Sequence, residues 1–243
     1  MKLNNVIKIF IKSILPNKLR VNLKYFYNTY IQNIGLSDKD VFKKIYLEKL
    51  WGGNEIDKFY SGSGSREKKL TDLYIKIIKK FLYELKNPIV VDCGCGDFNV
   101  GKNFVKHTKH YYAFDIVDEL IDYNKKKFLF PNLSFKIKDI TKDPIPKTNV
   151  LLVRQVLQHL NNGNIKKFIH NFSKKTDYLI VTEDLPNNNF VPNKDKKTNA
   201  LIRFSSGVVL HKYPFFLKYK EKKVLSEVKI NDSRIMKTYL YKL

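Results

Sequence analysis

The sequence predicts an α/β fold, a mostly parallel sheet wrapped by helices and closed at the end of the chain by an antiparallel hairpin. Three observations carry this. From residue 66 onward, apolar runs of strand length alternate with amphipathic stretches of helical period, and that alternation makes parallel strands joined by right-handed crossovers. A glycine-bearing turn, "VVDCGCGDFNVG" at 90–101, directly follows the first apolar run, where such a sheet presents its ligand-binding edge. Residues 224–243 then break the pattern with two strand-like runs joined across "NDS", a spacer that suits a hairpin.

In chain order, "NNVIKIFIKSILPNKLR" can form an amphipathic helix with Val6, Ile7, Phe10, Ile11, Ile14 and Leu15 on one face and Lys8 and Lys12 opposite. Packing on its own domain or on a second subunit is the expected use, and contact of residues 6–15 with a membrane surface the rarer one. Lysines interrupt the stretch and no small-residue cleavage site follows, so it is not read as a signal peptide. "REKKLTDLYIKIIKKFLYELK" places Leu70, Tyr74, Ile77, Ile78, Phe81 and Leu85 at helical spacing and stops before Asn87 and Pro88. Strands are expected at 89–91, 111–116, 133–140, 150–155, 178–184, 224–230 and 234–243. Helices are expected near 100–106, over "VDELIDYNKKKF" and over "NGNIKKFIHNFSKK". "PNNNFVPNKDKKTN" at 186–199 is long enough for a lid or substrate loop. The expected organisation is a basic, aromatic helical arm with an "SGSGS" lid over 1–65, followed by one domain over 66–243.

With 243 residues and 43% hydrophobic content, the chain can bury one sizeable core. Its net charge of +23 invites a nucleic-acid or anionic-surface partner. Nearly all of that charge is lysine spread along the whole chain, with arginine only at Arg20, Arg66, Arg154, Arg203 and Arg234. A solvated surface accounts for such lysines, and no interleaved patch of aromatics and arginines for single strands is seen. No nucleic-acid partner is therefore expected, although an anionic small molecule would be welcome. No run of eighteen apolar residues occurs, so no spanning helix is expected. Cys93 and Cys95 lie too close for an unstrained disulfide and have no other cysteine to pair with, which points to a cytoplasmic chain. The five histidines are scattered singly, so no metal site is expected.

In the glycine turn, Gly94 and Gly96 can take backbone angles closed to other residues and let a ligand lie against the main chain. A dinucleotide fingerprint needs a third glycine where Asn99 stands, which disfavours hydride transfer. The pattern present is D-x-G-x-G-D, beginning at Asp92. It resembles the first motif of class I S-adenosylmethionine-dependent methyltransferases, and the terminal hairpin is similar to the one closing their Rossmann-like seven-stranded sheet.

The resemblance implies S-adenosyl-L-methionine as cofactor and S-adenosyl-L-homocysteine as product. It places Asp92, Gly94, Gly96, Asp97 and Phe98 in the cofactor loop, and Asp115 with Ile116 at the ribose, nineteen residues beyond Gly96. Asp139 and Ile140 would frame the adenine, and Gln155 would follow the fourth strand. Each acid also has an ordinary reading: Asp92 and Asp139 as turn caps, Asp115 as a generic strand end.

A narrower resemblance lies in "VFKKIYLEKLWGGNEIDKFYSGSGSREKKL", "CGDFN", "DITKDPIP" and "VPNKDKKTNALIRFSSGVVLHKYPFF". These are similar to a group of bacterial methyltransferases associated with capsule and other surface-polysaccharide biosynthesis, some of which methylate the phosphoramidate decoration of capsular sugars. The match covers residues 41–243 and implies an oxygen acceptor on a sugar or phosphoramidate precursor, possibly nucleotide-linked. Trp51, Ser61, Ser63, Ser65, Arg66 and Arg203 are then candidate acceptor contacts. The serines stand before a helix whose first N–H groups attract anions, unless "SGSGS" is merely a flexible linker. If the acceptor is an alcohol, His159, Glu183 and Asp184 are the candidate bases; if it is already anionic, the arginines would orient it. His159 could equally cap or pack. Two rivals remain open: a nucleic-acid methyltransferase, whose Pro-Pro-aromatic motif after strand four is replaced here by "RQVLQHL", and a non-catalytic binding subunit, which predicts damage to the cofactor loop that is not seen.

Overall fold

The computed structural model describes residues 33–54 and 57–243. The amphipathic stretch at 6–15 lies outside them. Seven strands form one sheet in the order β3-β2-β1-β4-β5-β7-β6: β1 Ile89–Cys93, β2 His110–Asp115, β3 Leu133–Ile137, β4 Thr148–Arg154, β5 Thr176–Pro186, β6 Glu221–Asn231 and β7 Arg234–Lys242. The first five are mutually parallel, and β7 inserts antiparallel between β5 and β6. Strand order reverses between β1 and β4, the switch point at which an open α/β sheet leaves a crevice.

Both faces of this sheet are covered, and the sequence shows why. Along β4, Val150 and Leu152 pack on one side and Leu151 and Val153 on the other, so the strand reads as a continuous apolar run instead of an alternating one. The first face receives α3, Lys68–Glu84, through Tyr74, Ile78 and Leu82. The second receives α5, Asn162–Phe172, through Ile165, Phe168 and Phe172. α4, Asp118–Lys127, flanks β2 and β3. α5 is started by Asn161, whose side chain accepts from the Asn164 N–H.

Two elements precede this body. α1, Asp38–Leu47, is capped by Ser37 and crosses α4, with Lys39 and Lys43 paired to Asp118 and Glu119. Tyr46 and Phe59 join Val117 and Leu120 in a small separate core. α2, Ser63–Arg66, is one turn formed by the "SGSGS" run itself. The long helix begins only afterwards, at Lys68, with the Glu67 carbonyl accepting from the Leu70 and Thr71 N–H groups.

The segment after the glycine turn differs from expectation. In place of a helix over 100–106 it makes two 3-10 turns, Gly101–Asn103 and Val105–His107. The run is too short for a helical ladder, and its carbonyls find other donors: the Asn132 amide bonds the Val105 and Thr108 carbonyls at 2.9 and 2.7 Å. Phe98 departs too. It has φ 58° and is fully buried, its ring packed edge-on against Tyr111, Phe128 and Phe135, so it anchors the loop from below and does not reach a ligand.

Phe98→Ala should therefore lower stability by about 3–5 kcal/mol, the usual cost of emptying a buried aromatic site, read as a fall in the urea midpoint with unchanged m-value.

Candidate active site

A cavity of about 310 Å³ opens at the carboxyl edge of the parallel strands, over the switch point. The glycine turn forms its floor. Gly94 and Gly96 have φ 79° and 54°, and the Gly94 and Cys95 N–H groups both donate to the Phe114 carbonyl at the end of β2. Asp115 accepts from the Gly96 N–H at 3.1 Å and from the Val117 N–H at 3.1 Å. Burial raises its pKa to about 6 against these bonds. Beside it, Ile116 and Ile140 are apolar walls. Asp139 also borders the cavity, with its carboxylate occupied by the Thr141 N–H, the Thr141 hydroxyl and Lys142.

The roof is built from residues 51–54 and 57–66, a strap tied down at several points. Ser61 Oγ accepts from the Asp97 N–H at 2.8 Å and shares a 2.8 Å bond with the Tyr46 hydroxyl. Ser65 Oγ donates to the Ser61 carbonyl, so these two hydroxyls hold the strap in shape. Ser63 borders the cavity as well. Arg66 does not. Its Nε donates to Asp97 at 2.8 Å and its guanidinium lies by Asp57 and over Tyr60, which makes Asp97 and Arg66 the clasp between strap and glycine loop. Gly64 rests on Gln155, where an added Cβ would collide with the amide. Trp51 Nε1 donates to the Ala200 carbonyl at 3.1 Å, joining the roof to the loop after β5.

That loop is tied to itself by side-chain bonds to its backbone. Asn193 is buried and bonds the backbone of Val209 in both directions, with a further bond to the Tyr213 carbonyl. Arg203 is 1% exposed and lies outside the cavity lining. Its guanidinium donates to the carbonyls of Leu157, Gln158, Leu160 and Lys194 and to the Asn162 side chain, at 2.8–3.1 Å. Glu183 lies outside the lining too, 1% exposed, and accepts from the Leu157 and Gln158 N–H groups at 3.1 and 2.9 Å. Burial lifts its pKa to about 8, opposed by Arg203 and those amides. The expected base and the expected phosphate contact are thus two grips on one turn, residues 157–160.

The turn presents His159 to the cavity with its ring 5.0 Å from Trp51. Gln158 Oε1 accepts from the Asp184 N–H at 3.0 Å, so the amide nitrogen faces His159 Nε2 at 3.2 Å. An amide N–H₂ can only donate, which puts the imidazole proton on Nδ1. Nδ1 is buried, with no well-aligned hydrogen-bond partner among the described residues. Burial, reinforced by Lys196, lowers the pKa to about 3, so the ring is neutral and its one lone pair is already engaged. Of the three candidate bases only Asp184 borders the cavity with an oxygen to spare: Arg234 Nε bonds Oδ1, leaving Oδ2, and burial raises the pKa against Arg234.

Reading the sequence alone missed Arg154, Tyr74 and Asp38, all of which border the cavity. An arginine closing the apolar strand "VLLVR" was the available signal for the first. The charge balance differs from expectation as well: among the described residues, six aspartates line the cavity against Lys138 and Arg154. No described helix is long and apolar enough to cross a membrane.

No protein-family model matches the chain, and no curated protein does. Solved structures do. Magnesium protoporphyrin IX methyltransferase from Synechocystis PCC 6803, crystallised with bound SAM, aligns with TM-score 0.54 and 13% identity over 87% of this chain and 100% of its own. Human N-acetylserotonin methyltransferase in complex with SAM gives 0.57 and 14% over 92% and 65%. The N-methyltransferase NodS from Bradyrhizobium japonicum WM9, with S-adenosyl-L-homocysteine, gives 0.52 and 11% over 81% and 97%. The fold is that of the class I methyltransferases.

The His159 environment has a signed consequence. The folded-state pKa lies below the unfolded value near 6.5, so acidification from about 6.5 toward 3 protonates the unfolded chain preferentially and destabilises the fold through this group. Buried Asp92, Asp115 and Glu183 act in the opposite sense, so the readout is a difference. The gap in urea midpoint between His159→Gln and wild type should shift in favour of the variant as pH falls through that window.

Proposed function

We propose that this chain is an S-adenosylmethionine-dependent methyltransferase that methylates an oxygen of a small acceptor, a sugar precursor of capsule or other surface polysaccharide. The observation that carries the reading is the cavity at the switch point, floored by D-x-G-x-G-D and walled by Asp115, Ile116 and Ile140. The residues fit the cofactor. Two apolar walls suit a purine, a buried carboxylate with spare lone pairs suits ribose hydroxyls, and six aspartates suit a cation such as a sulfonium. Bound there, the cofactor would supply an electrophilic methyl group. Residues 66–243 form the catalytic body in this reading, with the preceding arm as its lid.

A hydroxyl acceptor is favoured over a phosphoramidate by two features. The arginines expected to hold an anion are committed elsewhere, and the lining is acidic. Trp51 offers an aromatic plane for the non-polar face of a sugar ring. Asp184 Oδ2 would take the hydroxyl proton as oxygen attacks the methyl carbon, with the neutral His159 ring as part of the wall beside it. The strap and the Trp51–Ala200 contact exclude water and hold the partners in line, the main requirement of an in-line displacement.

The test is isothermal titration with S-adenosylhomocysteine followed by methyl transfer to nucleotide-linked sugars. Micromolar binding, on the order of 8 kcal/mol, is expected, and no heat from folded protein would reject the cofactor. Asp184→Asn should lower kcat by about 10²–10⁴-fold, the range for a lost general base, while S-adenosylhomocysteine affinity stays unchanged.

A further inference from the structure

The chain between β5 and β6 ends in the run LHKYPFFLKYK, residues 210–220, whose side chains divide between the core and solvent. Leu210 and Leu217 are buried and Phe215 packs against the same core, with the Leu217 N–H donating to the Leu210 carbonyl at 2.9 Å. The Phe215 and Phe216 N–H groups both donate to the Lys212 carbonyl, at 3.0 and 3.2 Å, and the Asn193 amide holds the Tyr213 carbonyl at 2.8 Å. A tight, anchored turn results. It leaves Tyr213 74% and Phe216 59% exposed, their rings 5.9 Å apart and crossed at 70°. Lys212, Lys218 and Tyr219 beside them are exposed as well.

The charge around these rings has one sign. No acidic residue occurs between Asp195 and Glu221, and the next two acids, Glu221 and Glu227, pair with Lys223 and Lys237. Among the described residues, Lys212, Lys218 and Lys222 form no ion pair, and Lys222 reaches only the His211 ring, at 3.3 Å. His211 registers this field: burial first, then Lys222, Lys212 and Lys237, hold its pKa down to about 4. Exposed aromatic rings among unpaired cations call for a partner, and the sign of the charge selects it. The arm before Asp38 holds no acid, and a second copy of the patch would set lysine against lysine, so neither complements it. Crossed rings offer no parallel faces for successive bases of a single strand, and no arginine lies between Arg203 and Arg234. An acidic bilayer surface suits every part, since rings settle at the headgroup level and lysine stems lie alongside with their ammonium groups at the phosphates. We propose that the turn at residues 212–219 is a membrane-surface contact, seating Tyr213 and Phe216 among anionic lipid headgroups with Lys212 and Lys218 against their phosphates. It stands apart from the cofactor reading above and does not need it.

The experiment is co-sedimentation of the full chain with vesicles of phosphatidylcholine alone and of phosphatidylcholine with about 30% phosphatidylglycerol, whose negative surface potential attracts basic segments. Wild-type protein should partition onto the anionic vesicles at least about tenfold more strongly at low salt, and lose most of that excess as salt screens the surface. Lys212→Gln combined with Lys218→Gln should lower the partition coefficient by about fivefold for each lysine removed. Tyr213→Ser combined with Phe216→Ser should lower it by about tenfold or more, through lost apolar burial. All four side chains are exposed, so these changes leave the core intact. Equal partition onto the two vesicle types would overturn the assignment, as would partition that both paired variants retain, the result expected if residues 6–15 made the contact instead. Wild-type protein that leaves the vesicles in solution would overturn it too, whether it retains polyuridylate or dimerises through the rings.

Discussion

The site depends on how one turn is held. After β4 the chain makes a single 3-10 turn, Leu157–His159, which pairs the His159 and Leu160 N–H groups internally but leaves other backbone groups to find partners, and buried backbone groups must be paired. Glu183 takes the N–H groups at one side of the turn and Arg203 the carbonyls at the other. Arg203 is itself a buried ion, a cost that hydrogen bonds of this number offset, while burial pushes Glu183 toward its protonated form. Because Arg203 comes from the loop after β5, that loop cannot leave without uncovering a guanidinium and several carbonyls together. The same grip orients Gln158, which bonds the Asp184 N–H and thereby fixes the tautomer of His159.

The opposite wall follows the same logic with a weaker clasp. Asp97 joins the glycine loop to the strap through Arg66 and the Ser61 N–H, and Arg66 is partly solvated, so water screens this pair more than it does Arg203. The strap is therefore held by a more solvated clasp than the loop after β5.

The architecture was legible in the sequence because its signals are local. Continuous apolar runs in β1 and β4 and helical spacing in α3 specify buried strands and a covering helix without knowledge of any partner. The site was legible where backbone conformation demands a residue type, as at Gly94 and Gly96. It was misread where a charged or aromatic residue owes its place to distant partners. Glu183 and Arg203 look like chemistry in one dimension, yet their partners lie 25 and 46 positions away, and burial turns them into structural ties. Phe98 sits inside the motif but turns inward, a matter of its backbone angle that no pattern carries. Arg154 shows the converse: a cation inside an apolar strand looks like an irregularity until the opposing acid is in place.

Charge completes the picture and reverses the first impression. The chain carries +23 overall, while most of the charged residues among the cavity's described lining are aspartates. Exposed lysines act through solvent, and salt screens them beyond about 8–10 Å, whereas buried carboxylates act at short range in a medium of lower dielectric. The outer charge therefore says little about what binds, and the inner charge says more. An acidic lining favours a cationic reactant over the neutral product left once the methyl has gone. In the proposed reaction the electrostatics that hold the donor thus weaken when it has reacted, which favours exchange of the spent cofactor at the strap, the side of the cavity whose clasp is more solvated.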